Sequence, residues 1–205
     1  MKLSQAAIFG AAMVVSAAAQ DRMPPISPEH LSDAQKKAIK DLTAGPRGAA
    51  NGPFIPAMRS PEFMDRMQKL GEYLRFQSPI EPKLREMVIL MTAREWTQQY
   101  EWNAHAPLAL KAGLKQDIVN AIAEGRRPTG MDPTEETVHN FITELHHNQS
   151  VSDPTYAKAV EKFGENGVID LIGLTGYYSM LGMIMDVART PLADGAKPAL
   201  VPFPH

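Results

Sequence analysis

Apolar residues recur along the chain at spacings of three and four, and the strict alternation of half-buried strands is missing, so the pattern predicts an all-α protein. "LSDAQKKAIKDL" reads as a short helix: Ser32 is placed to cap it, Gln35 to complete a capping box, and Gly45 follows its end. "SPEFMDRMQKLGEYLRF" starts with Ser60 as N-cap and Pro61 at the first helical position, and it sets Phe63, Met67, Leu70 and Leu74 on the stripe expected to be buried. Pro82 opens a helix running to about Trp96, and its "MVILM" segment is apolar on every side, which places it in the middle of the protein. A helix from about Gln98 to Ala112 ends at Gly113, and "KQDIVNAIAEG" gives a short one ending at Gly125. Asp132 or Thr134 begins another that reaches about His147. Ser152 caps a helix over 153–163, and "GVIDLIGLTGYYSMLGMIMDVA" supplies a long, nearly apolar last helix. Its Gly173, Gly176 and Gly182 read as points of close helix contact or of a subunit interface.

Between these elements, residues 20–28 and 45–56 are rich in Pro and Gly and read as an extended arm wrapping a surface. The expected organisation is therefore an arm with one short helix over 20–56, a helical domain over 57–190 and a Pro-rich tail over 191–205. Residues 1–19 read as an export signal, with Lys2 as the positive region, Ala6 to Val15 as the apolar stretch and Ala17, Ala18 and Ala19 as the cleavage site. That reading predicts a secreted or periplasmic protein, free of the membrane once the signal is cut.

Composition sharpens the picture in three ways. Twelve Met, with 44% apolar but only 7% aromatic residues, suit a helical core better than a sandwich. A formal net charge of -2, with signs mixed along the chain, offers no basic stripe for nucleic acid. The chain has no Cys, so stability must come from packing or oligomerisation, and thiol chemistry is excluded.

Candidate chemistry centres on "REMVILMTAREWTQQYEWNAH", residues 85–105. If 82–112 forms two antiparallel helices turning near Thr97, Glu86 lies 11 residues before the turn and His105 eight after it. At ~1.5 Å per residue these are roughly 16 and 12 Å from the turn, so the two side chains are nearly level. A carboxylate facing an imidazole across a helix pair makes a general acid/base couple. Gln98, Glu101, Trp102 and His105 share a helix face, so Glu101 is a rival partner for His105, and spacing leaves that choice open. Pro107 either bends this helix or marks its early end. His139, His146 and His147 lie on one helix but match no recognised metal pattern, so no metal is expected. Tyr177 and Tyr178 line a pocket, an interface or the core.

The stretch from about Glu62 to Pro128, with "LREMVILMTAREWTQQYEWNAHAPLALKAGL" at its centre, resembles the carboxymuconolactone decarboxylase and alkylhydroperoxidase D-like family. The later "FGENGVIDLIGLTGYYSM" is also similar to longer bacterial members. The resemblance implies an all-α helical bundle of the alkylhydroperoxidase D-like type, assembled as homo-oligomers, trimers or hexamers. In the peroxidase branch the corresponding Glu and His flank two redox cysteines. Those positions, 12 and 15 residues after Glu86, hold Gln98 and Glu101 here, so the dithiol cycle does not carry over. The decarboxylase branch implies cofactor-independent chemistry on a small lactone or unsaturated acid: His105 protonates carbon, Glu86 sets its tautomer, Tyr100, Trp102 and Glu101 shape the pocket, and Arg85 anchors a carboxylate. The rival expectation is a non-catalytic small-molecule binding or assembly protein on the same fold.

Overall fold

The computed structural model describes residues 20–193 and 195–203, so the expected export signal lies outside the described residues. The order is α1 (Asp33–Ala44), α2 (Phe54–Ala57), α3 (Pro61–Glu72), α4 (Pro82–Glu95), α5 (Gln99–Lys111), α6 (Gln116–Ala123), α7 (Pro133–Asn148) and α8 (Asp153–Ala188), with no strand among the described residues. A single 3-10 turn, Pro28–His30, precedes α1, and a five-residue π-helical turn, Tyr73–Gln77, continues α3.

Local chemistry explains most of these boundaries. Ser32 and Gln35 form the reciprocal capping box expected for α1. Asp132 does the same for α7, accepting from the Thr134 and Glu135 amides while Glu135 reaches back to the Asp132 amide. Prolines occupy the first turns of α3, α4, α7 and α8, where a missing N–H costs nothing. Gly113 and Gly125, both with positive φ, end α5 and α6. Within α8, Gly164 leaves the helix at φ 63° and ψ 175°, so the two helices read from the sequence are joined across a break at a residue that tolerates it. Pro107 stands inside α5, which continues through it to Lys111; it is not a helix end.

The apolar helix α4 is the hub, packing against α5, α6, α7 and α8. Two apolar clusters meet on it. One joins α1, α2, α3, α7 and α8 through residues such as Leu42, Met64, Phe141, Leu171 and Leu174. The other joins α5, α6 and the tail through Met87, Leu90, Trp102, Ile118 and Leu200. Helix α8 is long and apolar enough to cross a bilayer, yet more than half of its most apolar window is buried within the protein.

Two expectations need correction. The buried stripe of α3 is Met64, Met67, Gln68 and Gly71, continued by Leu74, whereas Phe63 and Leu70 are exposed. The stripe turns because Gly71, without a side chain, lets the Tyr177 ring and the Arg47 guanidinium approach the helix. Gly71→Ala would place a methyl group on both; thermal denaturation should show a loss of about 1–3 kcal/mol, and an unchanged midpoint would contradict this packing. The arm also does more than wrap a surface: Ala38, Leu42 and Phe54 are part of the main core, and α2 packs on α3 and α8.

The α8 glycines divide. Gly173 packs at Leu74 and Gly182 at Trp96, while Gly176 faces open space. Beside it run the exposed Ile169, Ile172, Met183 and Val187, an apolar stripe along the outer face of α8.

Candidate active site

The turn between α4 and α5 decides how the two helices face each other. Thr97 sits at φ 50°, a left-handed conformation unusual for a β-branched residue. The amides of Thr97 and Gln98 donate back to the Arg94 and Ala93 carbonyls. Gln98 then caps α5, its side-chain oxygen accepting from the Tyr100 amide at 2.8 Å while its amide nitrogen donates to Asp186 on α8 at 2.6 Å.

This hairpin brings Glu86 and His105 together: Glu86 Oε2 lies 2.6 Å from His105 Nδ1. Glu101, one turn before His105 on α5, places Oε2 3.3 Å from Nε2. The choice the sequence left open is therefore not exclusive, because the imidazole lies between both carboxylates. All three side chains are nearly removed from water, at 12% exposure for Glu86, 7% for Glu101 and 6% for His105. Burial is the largest single influence on the imidazole and acts against its charged form. The contacts with Glu101 and Glu86 together outweigh it and hold the pKa above the ordinary value of 6.5. Tyr178 packs edge-on against the imidazole at 5.2 Å and Tyr177 edge-on against Tyr178 at 5.4 Å. Burial keeps both phenols in the neutral form, Tyr177 pushed up to about 12.

His105 and Glu101 open onto a cavity of about 360 Å³, whereas Glu86 stands behind them and does not line it. Tyr100 lines it and lies against Gly52, where any side chain would collide with the ring. Trp102 faces away into the second apolar cluster, so it is a core residue and not a pocket wall. Arg85 does not line the cavity: its guanidinium donates to the Ser78 and Ile80 carbonyls and braces the turn before α4. The arginines that do line it are Arg47, from the arm, and Arg75, from the π-helical turn. Arg47 lies 4.9 Å over the Phe54 ring, and Arg75 lies 5.2 Å over that of Phe76. Neither has a carboxylate partner within ion-pair distance among the described residues, and the Nε of Arg47 is buried without a hydrogen bond. Sequence reasoning missed both. Arg47 stands inside a Pro/Gly-rich stretch, where it reads as a solvated loop charge, and Arg75 near the end of an amphipathic helix, where it reads as part of the polar face.

The α4–α5 hairpin thus sets a buried carboxylate–imidazole–carboxylate array beside an arginine-lined hollow. Residues 61–144 match the family described as the carboxymuconolactone decarboxylase family, in a chain that has no cysteine. The match spans α3 to most of α7, including Glu86, Glu101 and His105, and leaves out the arm that supplies Arg47. Among curated proteins no match is found.

Proposed function

We propose that this protein is a cofactor-independent acid/base enzyme that decarboxylates or isomerises a small unsaturated acid or lactone bearing negative charge. The observation that carries the reading is the imidazole of His105 held between two buried carboxylates, one of which faces a hollow with two unpaired guanidiniums. The Arg47 and Arg75 side chains would hold the anionic groups, and the rings of Phe54, Phe76 and Tyr178 the unsaturated body.

In a decarboxylation the carbon–carboxylate bond breaks, carbon dioxide leaves, and the electron pair passes into the conjugated carbonyl as a dienolate. The imidazolium gives its Nε2 proton to Glu101, which hands it to the carbon facing the cavity, while Glu86 keeps the Nδ1 hydrogen in place and stabilises the charge. Solvent then reprotonates His105. Isomerisation uses the same groups, with the proton removed from one carbon and returned to another. A thiol peroxidase cycle is closed to this chain, because the two corresponding positions hold an N-cap amide, Gln98, and a carboxylate, Glu101.

Assembly as a trimer or hexamer, which the family resemblance implies, is part of the proposal. The exposed apolar stripe of α8 and the exposed Phe63 and Leu70 of α3 support it.

The test is a screen of the purified protein against lactones and unsaturated mono- and dicarboxylates for released carbon dioxide or shifted double bonds. Turnover of a charged compound is expected, with Arg47→Met raising KM more than it lowers kcat. Absence of turnover across the set, or an Arg47→Met variant indistinguishable from the parent, would overturn the reading.

A further inference from the structure

A second cavity, of about 260 Å³, shares no lining residue with the first. It lies between the ends of α4 and α6, one face of α7 and the C-terminal tail. The tail is strapped there by side chains of α4 and α5. Asn103 donates to the Lys197 carbonyl, Gln99 accepts from the Ala199 and Leu200 amides and donates to the Leu200 carbonyl, and Arg94 donates to the Val201 carbonyl. The strap ends with Phe203 stacked on Arg94, ring centroid 3.4 Å from Cζ, and seated on Gly125, where any side chain would collide with the ring.

One guanidinium in this cavity lacks a carboxylate contact partner. Arg126 is paired with Glu124 and Arg127 with Glu136. Glu95, the lining carboxylate, lies 3.8 Å from His147 and favours the charge of Arg94 from beyond ion-pair distance. Arg94 is only 4% exposed, yet no carboxylate lies within ion-pair distance of it among the described residues, and its Nε is buried without a partner. A buried guanidinium left in that state is costly unless an anion joins it. Around it stand two imidazoles, His139 and His146, both held below the ordinary histidine range by burial first of all. The remaining walls are apolar: Met91, Ile122 and the Phe203 ring.

We propose that this cavity binds a small aromatic monocarboxylate, its ring against Phe203, Met91 and Ile122 and its carboxylate on Arg94, with His139 and His146 as further hydrogen-bond partners. One guanidinium without a carboxylate in contact matches one carboxylate; a second negative charge would have no partner and would face Glu95. The volume lies below the ~300–1,000 Å³ of sites for drug-sized ligands, which selects a single-ring compound. This inference does not rest on the proposed activity.

Benzoate is the probe, titrated into the full-length protein while the imidazole signals are followed by two-dimensional NMR and assigned by single His→Gln substitutions. Saturable shifts are expected at His139 and His146, with the midpoint raised about tenfold or more in Arg94→Gln and several-fold in Phe203→Ala. The His105 signal reports separately on the first cavity, so benzoate binding there is not mistaken for binding here. Shifts absent at His139 and His146 in the parent protein, or present with the same midpoint in Phe203→Ala, would overturn the proposal. Phe203→Ala carries the test by itself should Arg94→Gln fail to fold, since it alters a tail residue outside every helix.

Discussion

His105→Gln is expected to lower turnover of any substrate by about 10²–10⁴-fold, the usual range for removing a positioned proton carrier. It should also destabilise the fold by about 3–5 kcal/mol, because a neutral amide leaves two buried carboxylates without the positive charge between them. The stability effect has a definite pH signature. Since the imidazole pKa is raised in the folded state, the stabilisation it gives is fully present below the unfolded value of about 6.5. It fades as pH rises through the higher folded value. The gap between parent and variant should therefore be widest below pH 6.5 and should narrow as the solution becomes more alkaline. Chemical denaturation at several pH values reads this directly. A gap independent of pH would mean that the imidazole is not held charged.

The fold was largely legible in the sequence because its boundaries are written in short-range chemistry. Ser32 with Gln35, the prolines opening α3 and α4, and the glycines closing α5 and α6 act within one turn of chain, and each operates in the structure as its type suggests. The levelling of Glu86 with His105 followed from helix rise and one turn position, both local quantities. What escaped was tertiary. Met64 and Phe63 are adjacent and both apolar, so the choice of buried face fell to Gly71, whose contribution is the room it leaves for Tyr177 and Arg47. Glycine carries no hydrophobic signal. Arg85 was placed near the site by its neighbour Glu86, but successive helix positions point about 100° apart, and its guanidinium turned to the free carbonyls of the preceding turn. Arg47 and Arg75 enter from segments 58 and 30 residues before His105, a distance over which periodicity says nothing. Trp102 went to the core because α5 packs on α4 and α6 on that side.

The two carboxylates beside His105 are expected to differ in what they do. Glu101→Gln removes the group that faces the cavity, and turnover should fall by about 10²–10³-fold while the imidazole keeps its hydrogen bond to Glu86. Glu86→Gln leaves the cavity wall intact but replaces a charge partner 2.6 Å from Nδ1 by a neutral amide, so the imidazole loses its proton at a lower pH. Its activity should therefore fall on the alkaline side first, with less loss in acid. Equal and pH-independent losses in the two variants would argue that both carboxylates are only structural.

The most direct measurement is the titration of the His105 ring by NMR in the parent protein and in Glu86→Gln. The structure leads us to expect a midpoint above 6.5 in the parent and a clear downward shift on loss of the Glu86 charge. A parent midpoint at or below 6.5 that does not move in Glu86→Gln would contradict an imidazolium held between two buried carboxylates.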